Sequence, residues 1–90
     1  MLVYMDKKEK LIRRLKIIGG QVRGLEDMLK SGKYCIDIIT QTSAVKQALS
    51  GIEDEIMEGH LSTCAVSQMK KGKENKAIKE IIKVYKLKRK

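Results

Sequence analysis

Cys35, Cys64 and His60 are the only two thiols and the only imidazole in a chain of 90 residues. Two thiolates and one imidazole are soft donors, the kind that select Cu(I) or Zn(II) over harder ions. Structural zinc asks for a fourth ligand and tetrahedral closure. Cu(I) accepts three donors, so the ligand count puts Cu(I) first and Zn(II) second. Nickel and cobalt want more nitrogen and oxygen donors than one histidine offers. Each residue alone has an ordinary explanation: a lone histidine is more often a surface or core residue, and two cysteines in a reducing compartment are often small buried hydrophobes. Their spacing is what argues for chemistry.

His60 and Cys64 are four apart, so on a helix they share one face, a turn from each other. Cys35 lies 25 positions upstream of His60, almost seven turns at 3.6 residues per turn, and points the same way. It also lies about 37 Å away along the axis at about 1.5 Å per residue, so one chain with a straight helix cannot close the three donors on one ion. Two antiparallel copies can. The Cys35 end of one then lies beside the His60 and Cys64 end of the other, which predicts a homodimer with two equivalent sites between subunits. The two-fold axis falls near Ala48 and Leu49, where small side chains permit close packing.

The elements that must position these residues are helices. The chain has no proline, tryptophan or phenylalanine and three tyrosines, a composition for helices packed through aliphatic side chains. Leu11, Leu15, Ile18, Val22, Leu25 and Leu29 are spaced 4, 3, 4, 3 and 4 apart, and Ile38, Thr42, Val45, Leu49, Ile52 and Ile56 repeat that pattern. This is the seam of helices packing nearly parallel or antiparallel. Three helices are expected, over about 6–30, 35–69 and 74–88, in a single domain spanning 1–90. Asp6 with Glu9 reads as a capping box. Ser31-Gly32 and Lys70-Lys71-Gly72-Lys73 read as turns. Gly19, Gly20 and Gly24 either kink the first helix or admit another backbone. Ninety residues bury a limited core alone, and three helices suit half of a bundle. The fold class is therefore all-α, an antiparallel homodimeric helical bundle.

Charge is segregated. The net +9 divides into +5 over residues 1–33, −4 over 34–69, where Lys46 is the only base, and +8 over 70–90. Two basic flanks around an acidic middle point to a polyanion, nucleic acid before membrane surface. No run approaches the ~20 apolar residues of a membrane span, and Met1 to Met5 is too short for a signal peptide. A cytoplasmic protein is expected, where thiols stay reduced. No phosphate loop and no paired acid–base constellation is present, so an enzyme is not expected.

Arg14-Leu15 and Gly20-Gln21-Val22-Arg23-Gly24-Leu25, then Tyr34-Cys35-Ile36-Asp37-Ile38, Gln41 and Ala44, then His60-Leu61 and Cys64, together resemble the CsoR/RcnR family of metal-sensing transcriptional repressors. The likeness covers about residues 10–85 and is strongest to the copper-sensing CsoR branch. It implies a dimer that pairs into a homotetramer and binds operator DNA without a helix-turn-helix. It implies Cu(I) held by Cys35 of one subunit and His60 and Cys64 of the other. Tyr34 and Glu80 match residues that link the site to the third helix. Read without the resemblance, Tyr34 is better taken as a core aromatic, and Glu80 is either a solvated acid or the acceptor that orients His60. The nickel and cobalt branch uses further histidines, and the persulfide branch lacks the histidine.

Two departures bear on DNA. Many members read Arg-Arg-Ile-Glu-Gly-Gln where this chain has Lys16-Ile17-Ile18-Gly19-Gly20-Gln21, and Ser50 lies where some place an arginine. DNA contact then leans on Lys10, Arg13, Arg14, Lys16 and Arg23, with the basic third helix in support. The expected function is a copper(I)-responsive repressor that binds operator DNA in the apo form. The alternatives are a thiol-, persulfide- or aldehyde-responsive repressor of the same fold, in which Cys35 reacts, and a cytosolic copper carrier without a DNA role.

Overall fold

The computed structural model describes the backbone of residues 2–89 and the side chains of residues 8–89. Helix α1 runs Leu2–Lys30 and α2 runs Cys35–His60. A π-helical turn, Leu61–Ala65, leads into the short α3, Val66–Lys70, and α4 spans Glu74–Lys88. No strand occurs among the described residues. Because α1 begins at Leu2, Asp6 lies inside it rather than at its cap, and the Asp6 side chain is outside the described residues. Gly19, Gly20 and Gly24 do not break α1. A Cβ built at Gly24 would meet nothing within 4 Å, so no backbone of the same chain approaches there.

Both turns end their helices the same way. Gly32 and Gly72 sit at φ +70 and +76, in the left-handed region that costs glycine least. Beyond them the Lys33 amide donates to the Met28 carbonyl at 3.0 Å and the Lys73 amide to the Gln68 carbonyl at 2.8 Å. This bond, from three residues past the helix end back into its last turn, satisfies carbonyls that would otherwise lack a partner. Tyr34 then turns the chain with φ −58 and ψ 134, and its carbonyl accepts from the Asp37 amide at 3.0 Å and the Ile38 amide at 3.3 Å, opening α2. Asp37 adds an acid in the first turn, where the helix dipole favours it.

α1 and α2 form an antiparallel hairpin around Leu11, Ile18, Val45 and Ile52, with Leu25 and Ala48 packed against them. Each helix contributes every seventh residue, which is one half of its 4–3 seam. The other half stays in solvent: Leu15, Val22 and Leu29 on α1, Leu49 and Ile56 on α2. Arg14 Nη1 straps the hairpin through an ion pair with Glu55 Oε2 at 2.9 Å. The molecule measures 56 × 28 × 13 Å. Its thin dimension is about that of one helix, so the chain is a single layer of helices with an apolar face that no second layer covers.

α4 folds back along α2. Ala77 is fully buried at its start. At its other end, Lys88 Nζ donates to the Ser50 Oγ at 2.9 Å and the Ser50 carbonyl at 3.2 Å. The same ammonium pairs with Asp54 at 2.9 Å and Glu53 at 3.3 Å. The bond to Asp54 is the main cause that holds the Lys88 pKa above its ordinary value.

Candidate metal centre

The π-helical turn fixes the local geometry of two of the three soft donors. His60 is the last residue of α2 and Cys64 lies in the turn that follows, both half-buried. Two consecutive hydroxyls shape this turn. Ser62 Oγ donates to the Glu58 carbonyl at 2.9 Å and Thr63 Oγ1 to the Gly59 carbonyl at 2.7 Å. Such bonds to the carbonyl four residues back compete with the backbone amides and bend helices. Thr63 Oγ1 also lies 3.8 Å from Cys64 Sγ. π-turns inside long helices are rare and gather at functional sites. The stretch from Gly59 through Ser62 and Thr63 carried the signal in the sequence, where the 60–64 spacing reads simply as α-helical.

Glu80, from α4, reaches the same place: its Oε2 lies 3.6 Å from His60 Nε2. The contact closes one end of a groove of about 460 Å³ between α2 and α4, walled by Ile56, Met57, Val84 and Leu87. The Lys88 cluster lies toward the other end. α4 is thus pinned to α2 at two polar points with an apolar gap between them.

Cys35 is elsewhere. It is the first residue of α2 and exposed. α2 is unbroken from Cys35 to His60, which separates them by about 37 Å at about 1.5 Å per residue. Among the described residues no three His, Cys, Asp or Glu side chains of one chain stand close enough to hold a metal ion. Tyr34 is not a core aromatic: it is 67% exposed, because it sits in the α1–α2 turn at the tip of a one-layer molecule where its own chain offers nothing to pack against. Of the residues expected to meet DNA, Lys10, Arg13, Lys16 and Arg23 are exposed on α1. Arg14 differs. It faces α2, half-buried, and its guanidinium is engaged by Glu55.

What the donors can do follows from their type. Two thiols and an imidazole suit a soft cation, and each chain offers one exposed thiol at one end of α2 and a half-buried histidine–thiol pair at the other. The arrangement defines a helical scaffold with split soft-metal ligands beside a contact that crosses to another helix. Residues 7–86 match the family model described as metal-sensitive transcriptional repressor. The chain is 38% identical over 80 residues to the copper-sensing transcriptional repressor CsoR of Bacillus subtilis, covering 89% of this chain and 79% of that protein. It is 39% identical over 69 residues to the copper-sensing transcriptional repressor RicR of Mycobacterium tuberculosis, covering 77% and 72%. The crystal structure of the copper-sensing repressor CsoR with Cu(I) from Geobacillus thermodenitrificans superposes with a TM-score of 0.86 at 34% identity, over 94% of this chain and 88% of that one. The chain belongs to the metal-sensitive transcriptional repressor family. It is accordingly a regulator rather than an enzyme, and among the described residues no helix is long and apolar enough to cross a membrane.

Proposed function

We propose that this protein is a Cu(I)-responsive repressor whose metal-free form holds operator DNA and whose sensing site is shared between two copies, Cys35 from one and His60 and Cys64 from the other. The observation that carries this is the placement of the donors at opposite ends of one unbroken helix in a single-layer chain. An antiparallel second copy laid on the exposed halves of the two seams would bring the ends together and cover the apolar face. Pairing of such dimers into a tetramer, and a cytoplasmic location, belong to the same reading. The copper-sensing relatives and the donor set agree on the metal.

Cu(I), when bound, would supply a soft hub that accepts two thiolates and an imidazole without a fourth ligand. The residues do the rest. Cys35 and Cys64 give up their thiol protons. With Nε2 turned to Glu80, His60 keeps Nδ1 for another partner, and a carboxylate on the far nitrogen fixes the ring's tautomer and raises its basicity. Glu80 belongs to α4, so any displacement of the His60 ring is transmitted to that helix. The Lys88 cluster keeps the far end of α4 in place, and the helix pivots instead of detaching. On α1, the exposed Lys10, Arg13, Lys16 and Arg23 supply phosphate contacts, which orient DNA without naming its sequence.

The test is an anaerobic Cu(I) titration against a chromophoric chelator, paired with a mobility-shift assay. One tight Cu(I) per chain and release of DNA on loading are expected, and both should be lost in Cys35→Ala. Normal copper release by Cys35→Ala would refute the shared site.

A further inference from the structure

α4 presents three faces. Ala77, Ile81 and Val84 are buried or half-buried toward the rest of the chain, while Ile78, Ile82 and Tyr85 form an exposed apolar stripe. The third face is cationic. Lys76, Lys79, Lys83 and Lys86 follow one another at spacings of 3, 4 and 3, so they line one side of the helix. All four are exposed, with Lys83 at the edge of the groove between α2 and α4. The ion pairs among the described residues engage Arg14, Lys30, His60 and Lys88, and none of these four lysines.

We infer that this lysine stripe is a second phosphate-binding surface for duplex DNA, in addition to the basic residues of α1. The inference rests on the repressor reading and goes beyond it by assigning the contact to particular residues of α4. The charge density matches. The ten steps of helix from Lys76 to Lys86 span about 15 Å at about 1.5 Å per residue. One DNA strand carries a phosphate about every 3.4 Å along the axis, so four ammonium groups face about four phosphates. Of the three long helices, α2 offers only Lys46, so α1 and α4 carry the helical cations, joined by exposed Lys70, Lys71 and Lys73 just before α4. An anionic membrane is the competing polyanion, but interfacial helices set Trp, Phe or Leu on the face away from the charge; α4 has Ile78, Ile82 and Tyr85 there, and its one leucine, Leu87, walls the groove with α2. Glu80 borders the stripe, one turn from both Lys76 and Lys83, and meets His60 at 3.6 Å. A change at that contact therefore re-aims the lysines.

The test uses the full chain, metal-free, on a fluorescent mixed-sequence duplex, with affinity measured by anisotropy across about 50–200 mM salt. Two charge-matched doubles are compared, Lys79→Gln/Lys83→Gln in the stripe and Lys30→Gln/Lys33→Gln at the α1–α2 turn, each checked for unchanged helicity by circular dichroism. The stripe double should flatten the slope of log affinity against log salt by about 1.8 for each α4 engaged, 0.9 per lost contact. The turn double should keep the parent slope. If the stripe double keeps the parent slope, or both doubles lose it equally, the inference is overturned while the repressor reading stands. If the stripe double loses binding to vesicles of anionic lipid and not to DNA, the stripe belongs to a membrane and the inference is equally overturned. A parent chain without affinity for duplex would overturn the repressor reading itself.

Discussion

Leu49→Ala separates what a chain does for itself from what a second copy does for it. Leu49 lies on the exposed half of the α2 seam and is 40% exposed, whereas Ile52, three residues on, is 4% exposed inside the hairpin. Full burial of a leucine side chain is worth about 1.5–3 kcal/mol. The 40% still exposed in the lone chain then leaves about 0.6–1.2 kcal/mol for a partner to collect. Leu49 lies near the expected two-fold axis, so each dimer loses this twice, about 1.2–2.4 kcal/mol. That weakens dimerisation about 8- to 60-fold. Ile52→Ala instead empties the chain's own core and costs about 2–5 kcal/mol of its folding stability. Sedimentation equilibrium gives the dimer dissociation constant, and thermal melts at two protein concentrations give the stability. A Leu49→Ala dissociation constant within about twofold of the parent, or a parent that sediments as a monomer, refutes the reasoning that the second half of the seam is an interface.

Glu80→Gln should leave one Cu(I) per chain in a chelator titration while DNA release by copper falls, because the ligands remain and the link to α4 is weakened; release at the parent level would contradict that role. Lys88→Met should raise amide exchange in residues 74–88 and spare 38–59, as measured by mass spectrometry at neutral pH. The Lys88 pKa is raised in the fold, so its contribution is complete below the usual lysine value near 10.4 and fades as pH rises through the folded value. The parent's melting temperature should therefore fall faster than that of Lys88→Met above about pH 10.4. Gly72→Ala, at φ +76, should cost about 1 kcal/mol, a drop of about 4–8 °C in melting temperature, and an unchanged melt would argue against the left-handed turn.

Much of this molecule was readable in the residues, and the exceptions share a cause. The 4–3 spacing located both long helices, and glycine at 32 and 72 located both turns. The spacing is symmetric between its two halves, however, so it could not say that Leu11, Ile18, Val45 and Ile52 face each other within one chain while Leu15, Val22, Leu29 and Leu49 stay exposed. Lys88 reaching Ser50 and Arg14 reaching Glu55 are pairings between distant positions, set by how helices cross and not by local pattern. Arg14 therefore read as a DNA contact when its position on the helix turns it toward α2. Tyr34 read as a core aromatic because type favours burial, but the turn that holds it has no neighbour in its own chain. The π-turn at Leu61–Ala65 depends on competition for carbonyls by Ser62 and Thr63, which apolar periodicity does not register. The scarcity of the soft donors made Cys35, His60 and Cys64 stand out, and the unbroken α2 between them keeps the question of a shared site sharp.

Mixing two defective chains asks that question most directly. Cys35→Ala retains His60 and Cys64, while His60→Ala/Cys64→Ala retains Cys35, and neither alone should take up tight Cu(I). Co-refolded in equal amounts, half the dimers are mixed and each regains one of its two sites. Chelator competition should then find about a quarter of the parent's tight Cu(I) per chain. No recovery on mixing, or tight Cu(I) in either variant by itself, would contradict a centre built from two copies.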